Sequence, residues 1–364
     1  MSDELTLMIP GPTGLPDEVR EALGKPQIGH RTPEYSELML DVTAGMKHVF
    51  QTENDLLILT SSGTGGLEAA IVNFLSPGDA VLAIAVGNFG ERIGKIAEIY
   101  GAEVTWVKSE WGQPADLASA KKALAEKQFK AVLFTQNETS TSVTNPVAEL
   151  AALATEAGAL TIVDAVSGMG AIEVRTDEWG LDVVVAGSQK ALMLPPGLAF
   201  VSVSDRAWAA AETSTMPKFY FDLAKAKGSL AKGQTPYTPN TSLIVALQAA
   251  LKLIRSEGIE NVWKRHAACA ERVREGVQAL GLKLFNDPEY SSNVVTAFCP
   301  PEGVDEAEIR THIQQEYGIL VTGAQGAFKG QFLRIGHLGT VDDAQVDRVL
   351  SALEDALKTV APTN

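Results

Sequence analysis

Cysteine is nearly absent: Cys269 and Cys299 are the two in 364 residues, far apart and in no Cys-x-x-Cys pairing. That excludes a disulfide framework and a cysteine-based zinc site, and it fits a reducing compartment. Positive charge is also scarce. Thirty Lys and Arg against 45 Asp and Glu leave a net charge of -15, the opposite of the basic stripe that nucleic-acid binding needs. A local basic pocket for a small anion stays possible. Long apolar runs are missing too: Ala80 to Val86 falls far short of a membrane span. The five histidines, His30, His48, His266, His312 and His337, form no metal-spaced pair. There is no Gly-x-Ser-x-Gly elbow for a serine hydrolase, no internal repeat and no low-complexity segment. The opening Met1-Ser2-Asp3-Glu4 lacks the basic-then-apolar order of a signal peptide, and the closing Ala-Pro-Thr-Asn is not a peroxisomal address. A cytoplasmic location is the expectation.

What is present is apolar and regularly punctuated. Hydrophobic residues make up 45% of the chain, enough for a substantial core. From Asp55 to about Val203, short apolar runs alternate with amphipathic stretches. Strands are predicted at Leu56 to Leu59, Val81 to Val86, Ala131 to Phe134, Leu160 to Val163, Val183 to Val185 and Leu198 to Val203. Helices are predicted at Gly66 to Leu75, Asn88 to Tyr100 and Pro146 to Ala157. This order predicts an α/β fold with a mostly parallel sheet covered on both sides. Past Leu243 the texture changes. A long helical region with a break near Gly258 precedes two short strands, a helix over Asp305 to Tyr317, a strand to Ile335 and a final helix to Val360. The expected division is an arm over 1–20, a large domain over 21–250 and a smaller α+β domain over 251–364.

In such sheets ligands bind beyond the carboxyl ends of the strands, and several reactive residue types fall there. Thr60-Ser61-Ser62-Gly63-Thr64-Gly65-Gly66 follows the first strand and opens a helix, a place where free N–H groups suit a phosphate. No Gly-Lys-Ser/Thr follows, so it is not a Walker A loop. Counted from Gly63 and Gly65, the third glycine of a dinucleotide fingerprint is Glu68. A capped glycine-rich turn is the plainer alternative. Asp164 ends another strand and could hold a ring nitrogen protonated, or simply cap the next turn. Phe89 could stack on a flat ligand or pack in the core. Arg334 lies inside an apolar strand, where its fork suits a carboxylate or a structural ion pair. Lys190 follows Asp182-Val183-Val184-Val185-Ala186-Gly187-Ser188-Gln189. A lysine there either snorkels to water or serves as a Schiff-base amine toward an aldehyde cofactor.

Taken in order, these features resemble the fold-type I pyridoxal-phosphate enzymes, and more closely the class V aminotransferases of the alanine/serine–glyoxylate type. The likeness runs over nearly the whole chain. It includes Ile9-Pro10-Gly11-Pro12-Thr13, Gly29-His30-Arg31-Thr32-Pro33, Ser62-Gly63-Thr64 with Leu67-Glu68-Ala69-Ala70, Gly187-Ser188-Gln189-Lys190-Ala191-Leu192 with Pro195-Pro196-Gly197, and Leu333-Arg334-Ile335-Gly336.

The resemblance implies pyridoxal 5′-phosphate as cofactor, small amino and 2-oxo acids as substrates, and a homodimer with shared active sites. It implies that Lys190 tethers the cofactor and shuttles protons, and that Asp164 pairs with the ring nitrogen. Phe89 would stack on one ring face, where many relatives have Trp, and Val166 on the other. Thr139 would bond near the ring hydroxyl; Ser62, Gly63, Thr64 and Gln189 would hold the phosphate. Thr238, in Thr235-Pro236-Tyr237-Thr238-Pro239, would reach that phosphate from the partner subunit. Arg334 would clamp the substrate carboxylate and the Gly29 region would line the substrate pocket, with Arg31 either near a second anionic group or only fixing its loop. The activity so implied is ping-pong transfer of an amino group from alanine or serine to glyoxylate or pyruvate. Aminoethylphosphonate and aspartate transaminases are the neighbouring alternatives. Cysteine desulfurases resemble a different pattern, with His where this chain has Gln189 and Phe89. A non-catalytic partner subunit on the same fold is the non-enzyme alternative.

Overall fold

The computed structural model describes residues 5–360. Met1 to Glu4 and the closing Ala-Pro-Thr-Asn, which carry the expectations about address signals, lie outside the described residues. The centre is a seven-stranded sheet. Its spatial order is Asp55–Thr60, Leu198–Val203, Val183–Gly187, Leu160–Asp164, Ala131–Thr135, Ala80–Ala85 and Glu103–Lys108. Leu198–Val203 runs antiparallel to both of its neighbours, and the other pairings are parallel. The mostly parallel mixed sheet expected from the alternating pattern is therefore present.

The strands are apolar at consecutive positions because the sheet is buried on both faces. Leu56, Ile58, Val184 and Ala186 pack on one side, against the helices Pro33–Phe50 and Thr241–Glu257. Leu57, Leu59, Val183 and Val185 pack on the other, against Gly63–Phe74. Each fully buried Leu or Val contributes about 2 kcal/mol. The edge strand Glu103–Lys108 was not anticipated: it is exposed at both ends and only half-buried between them. The helix Leu117–Glu126 was missed for a similar reason, since Ala120 is its one fully buried residue.

The helices Thr241–Glu257 and Ile259–Ala279 are separated at Gly258, whose φ of 84° breaks the run where the sequence placed it. A four-stranded antiparallel sheet follows, in the order Lys283–Leu284, Val295–Cys299, Leu333–Gly336 and Thr322–Gly323. It packs with Ile259–Ala279, Glu306–Tyr317 and Asp343–Val360 around a core of its own. The N-terminal segment joins this part of the molecule. Thr6–Leu7 pairs in parallel with Ile319–Leu320, and Gly336 donates its N–H to the Met8 carbonyl at 2.8 Å. Among the described residues no helix is long and apolar enough to cross a membrane.

Candidate active site

The strands Asp55–Thr60, Ala80–Ala85, Ala131–Thr135, Leu160–Asp164 and Val183–Gly187 point the same way, and the segments after them converge. They enclose a cavity of about 510 Å³ lined by Ser62, Gly63, Thr64, Leu67, Phe89, Arg92, Asn137, Thr139, Asp164, Val166, Ser167, Gln189 and Lys190. Nine of the residues singled out in the sequence thus line one cavity: Ser62, Gly63, Thr64, Phe89, Thr139, Asp164, Val166, Gln189 and Lys190.

Lys190 is only partly exposed, and its Nζ donates to the Pro10 carbonyl. Burial pulls its pKa down to about 8; Asp164 opposes this, while Arg334 and Arg92 add to it. Near neutrality the amine therefore samples the uncharged, nucleophilic form. Asp164 is buried at 5% exposure. Its Oδ1 accepts the Val166 N–H at 2.9 Å, leaving Oδ2 for another partner. Burial pushes this carboxyl up to about 6, against the pull of the Val166 N–H, Arg92 and Lys190. A cationic ring nitrogen beside Oδ2 would offset that cost.

The helix Gly63–Phe74 begins at the cavity wall. Its N-cap residue, Ser62, makes no side-chain capping bond, so its hydroxyl and the first-turn N–H groups are available to an anion. Gln189 lines the same cavity, where its amide N–H groups are the end that can donate to an anion. Arg92 adds a cation: its guanidinium lies 4.7 Å over the Phe89 ring and donates to Thr64 Oγ1 at 3.3 Å. A phosphorylated aromatic aldehyde fits this donor set. The Lys190 amine, the Asp164 carboxylate and the start of the helix Gly63–Phe74 all face one volume.

A second cavity, about 750 Å³, shares Phe89, Thr139 and Lys190 with the first. Its other lining includes Pro10, Gly11, Arg310, Thr322, Gln325 and Arg334. Arg334 is 2% exposed. It spends Nε and Nη2 on the Gly323 carbonyl, at 3.1 and 2.8 Å, and Nη1 on the Thr139 carbonyl at 2.8 Å. Both acceptors are neutral carbonyls. Burial lowers its pKa to about 10, with Glu138 acting the other way, so it remains charged near neutrality. Arg310, by contrast, is paired with the buried carboxylate of Glu306.

Gly29 and Thr238 do not line these cavities within one chain. Gly29 is exposed and accepts the Thr32 hydroxyl at 2.9 Å. Thr238 lines a separate cleft with Tyr220, Tyr237 and Leu57. Arg31 is spent on Gln234 Oε1 at 3.0 Å and the Thr235 carbonyl at 2.7 Å, so it fixes its loop. Sequence reasoning missed Arg92, Asn137, Ser167 and Arg310. Arg92 carried a signal, since it stands three positions after Phe89 and shares its helix face. Among the described residues no cluster of three or more His, Cys, Asp or Glu could hold a metal.

Comparison with known proteins gives a consistent family picture. Residues 17–346 match the family model for aminotransferase class-V. The chain is 45% identical to the soluble hydrogenase small subunit of a Synechococcus strain, covering 100% of this chain and 96% of that one. It is 40% identical to the L-aspartate–glyoxylate aminotransferase of Paracoccus denitrificans, covering 94% and 89%. The solved alanine–glyoxylate aminotransferase of Nostoc sp. superposes with a TM-score of 0.94 at 31% identity, covering 98% and 96%.

Proposed function

This chain belongs to the class-V aminotransferases, which use pyridoxal 5′-phosphate, and from that premise we propose that it moves an amino group from alanine or serine to glyoxylate or pyruvate in a ping-pong cycle. The observation that carries the reading is Arg334, a buried cation whose partners are all neutral carbonyls, facing the cavity that also holds Lys190. A buried charge needs a counter-ion, and an α-carboxylate entering this cavity supplies one.

When bound, the cofactor supplies an aldehyde that joins covalently to an amine and a ring that draws electrons from the adjoining carbon. Lys190 is the amine aimed at that aldehyde. Its Nζ would also move the proton at the substrate Cα. Asp164 Oδ2 would keep a proton on the ring nitrogen. Phe89 and Val166 would hold the two ring faces, and Thr139 would stand by the ring hydroxyl. Ser62, Gly63, Thr64 and Gln189 would hold the phosphate. Arg334 orients the substrate so that its Cα–H stands toward Lys190. Thr238, which stands away from the cavity in one chain, would reach the phosphate from the partner subunit of a homodimer, and the Gly29 region would line the substrate pocket.

The test is a half-reaction screen. Holoenzyme is mixed separately with alanine, serine, aspartate, aminoethylphosphonate and cysteine, and the visible cofactor band is followed. Alanine and serine should bleach it, and Lys190→Ala should abolish both turnover and the borohydride-reducible link. A Lys190→Ala variant with full activity would sink the mechanism. Aspartate as donor has an observation in its favour: Arg310 lines the same cavity with Nη1 unspent. Bleaching by aspartate alone would select that reading. Sulfide release from cysteine would select desulfuration, although Cys299 lines neither cavity. Cofactor binding with no donor active would favour the partner-subunit reading that the name of the Synechococcus relative suggests.

A further inference from the structure

Glu138 has 0% exposure and none of the roles above. It sits just past the Ala131–Thr135 strand, in the small hairpin Asn137–Glu138 with Val143–Thr144. Its two oxygens serve different elements. Oε2 accepts the backbone N–H groups of Phe89 at 3.0 Å and Gly90 at 2.9 Å. These belong to the first turn of Asn88–Ile99 and have no partner inside the helix. Oε1 accepts the Ser140 N–H at 3.2 Å and the Ser140 hydroxyl at 2.5 Å. Ser140 Oγ in turn accepts the Asn88 N–H at 3.0 Å.

Thr139 lies between these two anchors, and its carbonyl receives Arg334 Nη1. One carboxylate thereby fastens Phe89 on one side and, on the other, the peptide that orients Arg334. Gly87 shows how close the fit is. A Cβ there would lie 2.4 Å from Ser140 Oγ and 2.7 Å from Glu138 Cδ. Its φ of 169° is open to any residue, so space and not backbone conformation requires the glycine. An ordinary N-cap could close this helix with a local Ser or Asp. A carboxylate buried deeply enough for its pKa to rise to about 7 is a costly way to do only that.

We propose that Glu138 is a positioning residue that couples the ring seat at Phe89 to the carboxylate clamp at Arg334 through the Thr139 peptide. The proposal rests on the reaction proposed above. Its test uses full-length holoenzyme carrying Glu138→Gln, Ser140→Ala or Gly87→Ala. Three quantities are read: cofactor Kd by titration, visible circular dichroism of the bound cofactor, and the KM and kcat of the active donor. In Glu138→Gln an amide N–H must face donors that now meet a carboxylate oxygen. Cofactor Kd and donor KM should each rise about tenfold, the dichroic band should weaken, and kcat should fall less than KM rises. Ser140→Ala keeps the carboxylate and should shift the same readouts by about threefold. Gly87→Ala should reproduce the Glu138→Gln pattern by steric displacement alone. Combined with Arg334→Lys, Glu138→Gln should cost about tenfold less in KM than the product of the single effects.

If Glu138→Gln melts earlier but keeps wild-type dichroism, Kd and KM, it is a plain helix cap and the proposal is overturned. Should Glu138→Gln fail to fold, unchanged Kd, dichroism and KM in Ser140→Ala and Gly87→Ala would overturn it equally. The dichroism and Kd measurements need no donor. They decide the ring-seat half of the coupling even if no donor proves active, so a failed reaction reading is told apart from a failed proposal.

Discussion

Replacing Arg334 by lysine keeps the charge and removes the fork. A guanidinium carries five N–H donors. Three are committed here, two to Gly323 O and one to Thr139 O, which leaves one donor on each terminal nitrogen. The two terminal nitrogens of a guanidinium form the end of the fork that can grip a carboxylate bidentately. An ammonium is a single centre on a shorter stem. It cannot reach carbonyls on two separate segments and also present two parallel donors. At least one buried carbonyl is left unpaired, which costs about 1–3 kcal/mol of stability. Losing one of two charge-assisted bonds to the substrate, with poorer geometry in the other, costs about 3 kcal/mol of binding. That corresponds to an affinity loss on the order of a hundredfold. Single-turnover bleaching against alanine concentration separates the apparent Kd from the rate of the chemical step. The Kd should rise by that factor while the cofactor spectrum before mixing stays unchanged. Ethylamine, which has no carboxylate, should bind wild type and variant within about twofold of each other. If Arg334→Lys binds alanine within about threefold of wild type, Arg334 does not hold the carboxylate.

Gly11→Ala places a Cβ 2.7 Å from Lys190 Cδ and Nζ at a φ of 120°. It should destabilise the fold by about 1–2 kcal/mol and slow cofactor capture at least about tenfold, read from the growth of the visible band. Lys190 reacts as the free amine and its pKa is lowered to about 8. Cofactor uptake by apoprotein should therefore climb about tenfold per pH unit up to that pH and level off above it; a break near 10 would contradict the burial argument. His266 is held neutral, with Nδ1 against the Val262 carbonyl at 2.7 Å and Nε2 accepting the Gly339 N–H at 3.0 Å. Its folded pKa of about 4 lies below the ordinary 6.5. Its contribution is therefore complete above pH 6.5 and is lost as pH falls toward 4. Denaturant titrations should show wild type losing about 2 kcal/mol more than His266→Gln between pH 8 and pH 5.

The sheet could be read from the sequence because burial on both faces makes strands such as Val183–Gly187 and Leu198–Val203 continuous apolar runs. Direction was less visible. Nothing in the composition of Leu198–Val203 marks it as the antiparallel member, since that depends on the short return from Val183–Gly187. The edge strand Glu103–Lys108 hid behind its charged ends, although Trp106 packs tightly over Gly94 from the covering helix. The N-terminal segment reads as an arm, and its strand was not visible because Thr6–Leu7 is only two residues long. Its partner, Ile319–Leu320, belongs to the other end of the chain.

The site divides along the same line between local and distant information. Asp164, Lys190 and Ser62 to Thr64 stand where strands end, and strand ends are local features that alternating sheet architecture turns into a site. The residues that aim them depend on contacts across large sequence separations. Lys190 finds the Pro10 carbonyl 180 positions away, and Arg334 finds the Thr139 carbonyl 195 positions away. Neither Pro10 nor Glu138 carries a local signal, because a backbone carbonyl or a lone buried carboxylate has no pattern until the fold is closed. Catalysis of this kind is limited by orientation as much as by reactive groups, since displacements of about 1 Å can cost on the order of a hundredfold. A chain could keep Lys190, Asp164 and Arg334 in its sequence and still fail if Gly11 or Gly87 gained a methyl group. Those two glycines, which give way to Lys190 and Glu138 respectively, are therefore where a relative retaining the reactive residues would first lose the reaction.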